Sequence, residues 1–378
     1  MIIALVIIIS ALFLFHSLFN FYAMLYSWND PHTLVRRRSP KNFASPRHTF
    51  SLIIPARHED QVIGDTLQAL MNLQYPKNFF EVLIVCRSDD ILTIQAVQHK
   101  LGHLPKHNIR LLVGGNNLDN KPKALNLACS YSRGQVIAVF DAEDEPNPEI
   151  LNIINTLLLH HHYDIVQSGV QLMSYLSSWF SAFNVLEYYF WFKSSLHLFT
   201  EFGVVPLGGN TVFIRREILK RLDGWDESML TEDADLGIRA SAIGAKIGVV
   251  YDELHVTREE TPPDSASFIK QRTRWNQGFL QIFFQGKWLW IPGFHKKFFT
   301  GYLLLMPFVQ AIWIIYFPLT LIAIFTIQMP VGWALFSLLP FYILCLQFVL
   351  YNYGIYEFTK SYKLRYSPLL FFKLLFSY

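Results

Sequence analysis

The chain has 378 residues, of which 52% are hydrophobic and 16% aromatic, and its formal net charge is +3. This composition is too apolar for an ordinary soluble enzyme, and so small a charge gives no sign of a nucleic-acid partner. The cysteines, Cys86, Cys129 and Cys345, are too few for a disulfide framework and are not spaced as metal ligands. The composition therefore favours a membrane protein whose main domain is cytoplasmic.

Two stretches, residues 1–28 and residues 298–356, contain no Asp, Glu, Lys or Arg. A membrane-spanning helix needs about 20 apolar residues. The first stretch therefore predicts one transmembrane helix, and the second predicts two that are separated by a turn at Gln328–Trp333. A signal peptide is the alternative for the first stretch, but the stretch lacks a basic amino-terminal region and a small-residue cleavage site. We expect a membrane anchor, and about three transmembrane helices in all.

Basic side chains flank the predicted spans on one side of the membrane. They are Arg36–Arg38 and Lys41 after the first span, Lys296 and Lys297 before the second, and Lys360, Lys363 and Arg365 after the third. Cytoplasmic flanks are rich in Lys and Arg. We therefore expect an integral membrane protein with its amino terminus outside, residues 47–297 in the cytoplasm, and a cytoplasmic or interfacial tail over 357–378. The basic clusters are expected to contact anionic lipid.

Residues 47–297 predict an α/β domain. In chain order, the pattern predicts strands over 48–60, 80–90, 108–115 and 134–144, with helices over 61–70 and 121–132. Strands that alternate with helices indicate a mostly parallel sheet covered on both faces. Ligands of such sheets bind beyond the carboxyl ends of the strands. Five acids fall there: Asp60, Asp89, Asp90, Asp141 and Glu143.

Two aromatic segments of this domain predict helices at the lipid headgroup boundary. Over 174–197, polar residues alternate with aromatic ones such as Trp179 and Trp191, as in an interfacial amphipathic helix. A helix packed in the protein core is the alternative. The second segment, about 265–294, is equally aromatic in its later part and is expected to lie on the membrane.

Asp141 and Glu143 are one residue apart in the turn after the fourth predicted strand, so both can approach one divalent ion. Mg²⁺ commonly uses one or two carboxylates together with phosphate and water, and Mg²⁺ or Mn²⁺ here would neutralise a diphosphate leaving group. An acidic turn without metal is the alternative. Ahead of this strand, Lys121 and Lys123 can each meet phosphate as a point charge or face solvent.

The segment TEDADLGIRA, residues 231–240, predicts the start of a helix. Thr231 is a good N-cap, and the acids that follow it favour the positive end of the helix dipole. Asp235 can pair with Arg239 one turn later. A structural role explains these acids as well as a chemical one does.

In QRTRW, residues 271–275, the side chains of Gln271, Arg274 and Trp275 share one helix face. An amide, a guanidinium and an indole together suit a sugar diphosphate. A helix at the membrane surface whose arginines reach the headgroups is the alternative.

An acid after the first strand, a D-x-D-like turn, TED and QRTRW follow one another in this order. The chain thereby resembles the membrane-bound family 2 glycosyltransferases, which include cellulose, chitin and hyaluronan synthases and some glycolipid glucosyltransferases. The resemblance covers about residues 48–290, including PLGGNTVFIRREILKRLDGWDE at 206–227. It implies a GT-A fold, the Rossmann-like mixed sheet of nucleotide-diphospho-sugar transferases. It also implies inverting transfer of a sugar from a nucleotide-diphosphate donor, a UDP-sugar, to an acceptor hydroxyl.

The resemblance implies a role for each matching residue. Asp60, Asp89 and Asp90 would hold the nucleotide; Lys123, Gln271 and Arg274 the diphosphate; Asp141 and Glu143 the diphosphate and its metal; Asp233 would be the general base; and Trp275, Glu232 and Gly209 would contact the acceptor. Two departures from the family pattern leave alternatives open. The second acid of the D-x-D turn is either Glu143 or Asp144, and "CRSDD" is not a plain double-Asp turn. We expect His255 to be a structural histidine rather than a metal ligand.

The family contains two kinds of acceptor. We favour extracellular or envelope polysaccharide synthesis, with transfer of one sugar to a membrane lipid as the alternative. A polymer needs a path through the bilayer, and three spans are few for one, so a partner subunit, a homo-oligomer or further spans beyond this sequence could complete it. A catalytically silent protein that binds nucleotide sugar is a third possibility.

Overall fold

The computed structural model describes residues 2–29, 37–103 and 108–377; Arg36 of the predicted basic cluster lies outside them. The strands are β1 Phe50–Ala56, β2 Phe80–Arg87, β3 Ile109–Gly114, β4 Val136–Val139, β5 Ile165–Ser168, β6 Val170–Leu172, β7 Val212–Arg215, β8 Ile247–Val250 and β9 Thr257–Glu259. The helices are α1 Ile2–Asn29, α2 Ile63–Met71, α3 Ile91–His103, α4 Lys121–Tyr131, α5 Ile150–His161, α6 Ser181–Phe190, α7 Leu196–Phe202, α8 Arg216–Arg221, α9 Glu232–Ala242, α10 Ser265–Gln285, α11 Phe294–Thr326, α12 Val331–Ser361 and α13 Leu369–Ser377. A π-helix, Trp191–Ser195, joins α6 to α7, and short 3₁₀ turns lie at Lys77–Phe79 and Lys287–Trp290.

The central sheet has seven strands in the order β3-β2-β1-β4-β7-β5-β8. Strands β3, β2, β1 and β4 run parallel to one another, as the alternation of strands and helices predicts. Their side chains are apolar on both faces because helices cover both; Leu52, Ile53 and Ile54 of β1 are fully buried. The mixed α/β fold expected from the motifs is confirmed.

Strand β7 runs antiparallel to both of its neighbours, β4 and β5. Because of this direction, the segment that leads into β7 lies at the carboxyl end of β4, where ligands of such sheets bind. The Thr211 N–H donates to the carbonyl of Val139, the last residue of β4, at 2.7 Å. This one reversed strand therefore places Gly209 and Asn210 beside the acidic turn that begins at Asp141.

Three helices, α1, α11 and α12, are long and apolar enough to cross a membrane, and the predicted turn between the last two lies at Ile327–Pro330. The spans are joined to the sheet domain by the α6–α7 segment. Ser194 of the π-helix accepts the Ser27 N–H at 2.9 Å and donates to the carbonyl of Ala23 at 2.7 Å. The end of the first span is thereby fixed over the domain.

The predicted helix over 174–197 is replaced by a shorter helix, the π-helix and a second short helix, and part of its aromatic face is inside the protein. Phe180, Tyr189 and Phe190 are each 4% exposed or less. They pack against α1, α12 and the smaller β6–β9 sheet. These buried rings agree with the core-packing alternative, because α1 and α12 cover them. Trp179 of the same segment is 52% exposed, and contact of this segment with the headgroup boundary stays a prediction. The later segment does expose Phe284, Trp290 and Phe294, and its contact with the membrane stays a prediction.

Candidate active site

A cavity of about 810 Å³ lies between the carboxyl ends of the sheet strands and the three apolar helices. Most of the motif residues named from the sequence line it, although they are up to 134 positions apart in a chain of 378 residues. They are Asp141, Glu143, Gly209, Glu232, Asp233, Gln271, Arg274 and Trp275. Lys121 and Glu259 line it as well. The sequence motifs therefore converge on one site.

The acidic turn after β4 presents two of its three carboxylates to the cavity. Asp144 is 1% exposed; its carboxylate accepts the Asp141 N–H and the Asn210 amide, both at 2.8 Å. Asp144 thus braces the turn and its pKa is raised well above the usual range, chiefly by burial and then by Asp141. Glu143 instead faces the cavity, and burial and the nearby Asp141 raise its pKa. Of the two acids left open by the sequence, Glu143 is the one available to a ligand.

Lys121 is the lysine that faces the acids. Its ammonium donates to Asp141 Oδ1 at 2.6 Å and to the carbonyl of Gly209 at 2.8 Å. Burial opposes its charge, but Asp141 and Asp233 outweigh burial and raise its pKa. Lys123 is instead paired with Asp119 at 3.0 Å and lines a separate surface depression. Lys123 is therefore not among the residues that line the cavity, and its contact with the diphosphate stays a prediction.

Residues two apart on an α-helix point in nearly opposite directions, about 200° apart. Lys121 begins α4, with Asn120 as its N-cap accepting the Lys123 N–H. The two lysines therefore occupy opposite faces of the helix. The sequence KPKALN offers both, and the docking of α4 on the sheet decides between them.

Helix α9 begins at Glu232, as the TED motif predicts, and the Asp235–Arg239 pair forms at 2.6 Å. Thr231 holds the N-cap position, but its side chain makes no capping hydrogen bond in the described structure. Asp233 is 7% exposed and lines the cavity. Burial and the adjacent Glu232 raise its pKa well above the usual range, while Lys121 acts in the opposite direction. A buried carboxylate whose pKa is raised by its surroundings is a candidate general base.

Helix α10 carries QRTRW along the cavity and begins after its N-cap, Asp264, which accepts the Ser267 N–H at 2.8 Å. Gly278 on this helix faces the start of α9. A methyl group there would lie 2.3 Å from the Thr231 hydroxyl oxygen, so glycine is what lets the two helices approach this closely. The approach brings the indole of Trp275 and the carboxylate of Asp233 into one cavity.

Arg272, between the named motif positions, fixes the indole. Its guanidinium pairs with Glu187 and lies 4.7 Å from the Trp275 ring centroid. Tyr188 packs on Trp275 with ring centroids 6.1 Å apart. Arg272 was given no role from the sequence, and its position directly after Gln271 in the motif is the signal that was available.

The acids expected to hold the nucleotide are not among the residues that line this cavity. Asp60 is exposed, and Asp89 pairs with Arg87. Asp90 is buried, and burial by itself raises the pKa of its carboxyl group. The His58 N–H donates to this carboxylate at 2.6 Å and helps to lower the pKa below its usual value. Asp90 thereby braces the loop after β1, and the nucleotide roles of all three stay predictions.

Glu59, the neighbour of Asp60, is the acid of this loop that interacts with the acidic turn. Burial, and then the charges of Glu143 and Asp141, raise its pKa to about 7. Glu259 at the end of β9 behaves similarly: burial, then Asp141 and Glu143, raise its pKa well above the usual range. The sequence analysis missed both residues. Glu59 was available from the first-strand motif, whereas β9 is too short to give a pattern.

The donor set of the cavity fits a divalent cation that is completed by its ligand. Asp141 and Glu143 offer two carboxylates, the number that Mg²⁺ commonly takes beside phosphate and water. Within the described residues no group of three or more His, Cys, Asp or Glu side chains forms a self-sufficient metal site. His255 lies near Glu149 at 3.2 Å and Asp252 at 3.6 Å, and these contacts raise its pKa, Asp252 first.

The fold and the acidic, lysine-bearing cavity agree with the family that the sequence motifs resemble. Residues 46–278 match the family described as "Glycosyltransferase like family 2". The match spans more than half of the chain, and the protein belongs to this family.

Among curated proteins, the chain is 28% identical over 246 residues to the "Probable glycosyltransferase YdaM" of Bacillus subtilis, covering 63% of this chain and 58% of that protein. It is also 28% identical over 256 residues to the "Beta-monoglucosyldiacylglycerol synthase" of Nostoc sp., covering 64% of this chain and 53% of that protein. The chain therefore spans little more than half the length of these relatives.

Among solved structures, the fold is similar to that of the mannosyltransferase PcManGT from Pyrobaculum calidifontis, which was determined with GDP-Man and Mn²⁺. The TM-score is 0.60 at 18% identity, covering 91% of this chain and 98% of that one. S. aureus TarS 1–349 with UDP-GlcNAc gives a TM-score of 0.51 at 18% identity over 69% of this chain and 73% of that one. At this identity the likeness concerns the fold alone.

Proposed function

We propose that the protein is an inverting glycosyltransferase that moves a sugar from a nucleotide-diphosphate donor to an acceptor hydroxyl at the cytoplasmic face of a membrane. One observation carries the proposal. Asp141, Lys121, Asp233 and Trp275 share one cavity, and that cavity continues between the three apolar helices. Anion-binding groups, a base and a sugar-stacking ring thus lie beside a membrane-embedded space.

The donor diphosphate is proposed to lie between Lys121 and the QRTRW face of α10. Lys121 supplies a point charge, and Arg274 supplies a planar fork that matches phosphate. Asp141 and Glu143 would hold Mg²⁺ or Mn²⁺, which neutralises charge on the diphosphate when it is bound. The Lys121 ammonium bonds Asp141, and the same cation is proposed to meet the donor phosphate.

The transfer is proposed to be a single displacement. The Asp233 carboxylate takes the proton of the acceptor hydroxyl while that oxygen bonds to the anomeric carbon from the face opposite the diphosphate. The bond between that carbon and the diphosphate oxygen breaks, and the nucleoside diphosphate leaves with the electron pair. A general base typically contributes about 10²–10⁴-fold to the rate. The environment that raises the pKa of Asp233 makes it a stronger base than an exposed aspartate.

The orientation expected from the sequence fits this arrangement. Lys296 lies at the start of α11 and Lys360 at the end of α12, on the side of the spans where the sheet domain sits. Cytoplasmic flanks carry such residues, and nucleotide sugars are cytoplasmic metabolites. The proposed site therefore faces its donor.

The test is a donor screen with the purified full-length protein in lipid nanodiscs. UDP- and GDP-sugars are supplied with Mg²⁺ or Mn²⁺, and released nucleoside diphosphate and transferred label are both measured. We expect release with one class of donor, and Asp233→Asn is expected to stop it while the protein remains folded by thermal denaturation. Absence of release with every donor, or full activity of Asp233→Asn, would overturn the proposal.

A further inference from the structure

The cavity that contains Asp233 extends into the space between the spans. All three spans line it: His16 and Asn20 on α1, Met306 and Gln310 on α11, and Leu344 and Gln347 on α12. Polar side chains within membrane helices generally face a cavity or one another rather than lipid. The lining therefore combines apolar surface with a few amides.

The cavity ends well below the outer ends of the spans. Beyond its outermost lining residues, His16, Ile314 and Leu344, each helix continues for about 12 to 14 residues. At about 1.5 Å per residue, this is roughly 18–21 Å of helix without cavity lining. The cavity thus occupies the cytoplasmic half of the spans and is blind.

Aromatic rings close the outer end of the cavity. Four residues form what we name the outer aromatic cluster: Phe13, Trp313, Tyr316 and Phe341. Phe13 and Tyr316 have ring centroids 4.4 Å apart, and Trp313 and Phe341 have ring centroids 4.8 Å apart. The cluster includes residues of all three spans, so it seals the bundle rather than one side of it.

Tyr316 also ties the spans together through its hydroxyl. Its oxygen lies 2.7 Å from the Ser10 hydroxyl on α1 and 2.9 Å from the Ser337 carbonyl on α12. Both serines are fully buried. A hydrogen bond with no water to replace it is costly to break. A glycan chain that crossed here would have to separate the spans and leave these groups unpaired.

We propose, on the basis of the transferase function above, that the acceptor is a membrane lipid with a free headgroup hydroxyl, of which diacylglycerol is the simplest, and that the part of the cavity between the spans holds it. Its acyl chains contact side chains such as Met306 and Leu344. The amide of Gln310, exposed on the cavity side of α11, hydrogen-bonds the glycerol or ester oxygens. A lipid needs to bring only its hydroxyl to Asp233, and no opening of the outer aromatic cluster is required. The lipid alternative is thereby favoured over the polysaccharide that the sequence analysis preferred.

The product class is tested directly with full-length protein in nanodiscs with and without diacylglycerol. The donor is whichever radiolabelled nucleotide sugar gives nucleotide release in the screen above. We expect label in the organic-solvent extract, dependent on diacylglycerol, with one sugar per lipid by mass. Label in chains of many sugars in the aqueous or insoluble fraction would overturn the lipid proposal and leave the transferase function intact. Absence of both nucleotide release and label would overturn both.

The binding site is tested with Gln310→Leu. Loss of one hydrogen bond, commonly worth about 1 kcal/mol, is expected to raise the KM for diacylglycerol about five- to tenfold. Gln285→Leu makes the same chemical change at an exposed position at the end of α10, and its KM is expected to be unchanged. Equal KM values for the two variants would place the lipid elsewhere.

The blind end is tested by locking the outer aromatic cluster. Phe317 and Phe341, whose ring centroids are 4.0 Å apart, join α11 to α12 at this level. Both are replaced by cysteine in a Cys129→Ser, Cys345→Ser background and bridged with a short thiol cross-linker. Formation of the lipid product is expected to be the same before and after cross-linking. If cross-linking stops product formation while the unbridged double variant is active, the spans must open at this level and the proposal is wrong.

Discussion

The two lysines of KPKALN give the sharpest test of the site, through Lys121→Met and Lys123→Met. Lys121 bonds Asp141 at 2.6 Å and the Gly209 carbonyl at 2.8 Å, while Lys123 bonds only Asp119 among the described residues, at 3.0 Å in a more exposed pair. A charge-assisted hydrogen bond contributes about 1.5–3 kcal/mol, and Lys121 makes two hydrogen bonds in a partly buried position. We therefore expect Lys121→Met to raise the barrier by about 2–4 kcal/mol, a loss of about 30- to 1,000-fold in kcat/KM.

Lys123→Met should lose at most about fivefold, because exposed ion pairs contribute about 0–1 kcal/mol. The assay is nucleotide release at saturating metal, with thermal denaturation of each variant to show that both are folded. Lys121 also lowers the pKa of Asp233 through its charge. The acid limb of the kcat/KM profile should therefore move to higher pH in Lys121→Met. A larger loss for Lys123→Met, or equal losses, would refute the placement of Lys121 and restore the assignment made from sequence.

Three further changes test the acids and the helix contact. Glu232→Gln removes a negative neighbour that raises the pKa of Asp233; since the base then stays ionised to lower pH, the acid limb of kcat/KM should shift downward, and an upward shift would contradict this. Glu143→Gln should raise the metal concentration that gives half-maximal activity, as read from a Mg²⁺ or Mn²⁺ titration. Gly278→Ala adds a methyl group 2.3 Å from the Thr231 hydroxyl oxygen; the crowding should destabilise the protein by about 1–3 kcal/mol and lower kcat.

Two matched variants control these results. Gly102→Ala is also a helical substitution, but nothing lies within 4 Å of the added methyl group; its thermal midpoint should be unchanged or slightly higher. Asp144→Asn should lower the thermal midpoint, because Asp144 accepts two hydrogen bonds while buried. Asp144→Asn should change the metal concentration that gives half-maximal activity less than Glu143→Gln does. If both glycine variants behave alike, the contact between α9 and α10 does not depend on Gly278.

The local sequence pattern was enough to predict much of the fold. Hydropathy located the three spans and the turn between the last two, because crossing a bilayer imposes length and apolarity on every residue of the segment. Alternating buried strands and helices located β1, β2, β3 and β4, and the acids at their carboxyl ends marked the ligand-binding edge. These features are properties of consecutive residues.

The local sequence pattern could not decide between candidate site residues that are adjacent in the sequence. Glu143 and Asp144 are adjacent, and only the amide of Asn210, brought in by the antiparallel β7, shows which of them is held inside. Glu59 and Asp60 are likewise adjacent, and only folding shows that Glu59 lies where the charges of Glu143 and Asp141 raise its pKa, whereas Asp60 is exposed. The aromatic segment over 174–197 looked interfacial because its burial partners, α1 and α12, lie far away in sequence.

The sequence by itself determined that this chain has three helices long and apolar enough to cross a membrane, an α/β domain of the glycosyltransferase family 2 type and a set of acids placed to meet a cation, since periodicity and composition act over a few turns. Tertiary structure decided which lysine meets Asp141, which acid braces the turn, and where the cavity stops beneath Tyr316. Those outcomes depend on which face of a helix docks inward and on groups that meet only after folding, and neither is encoded in the spacing of residues along the chain.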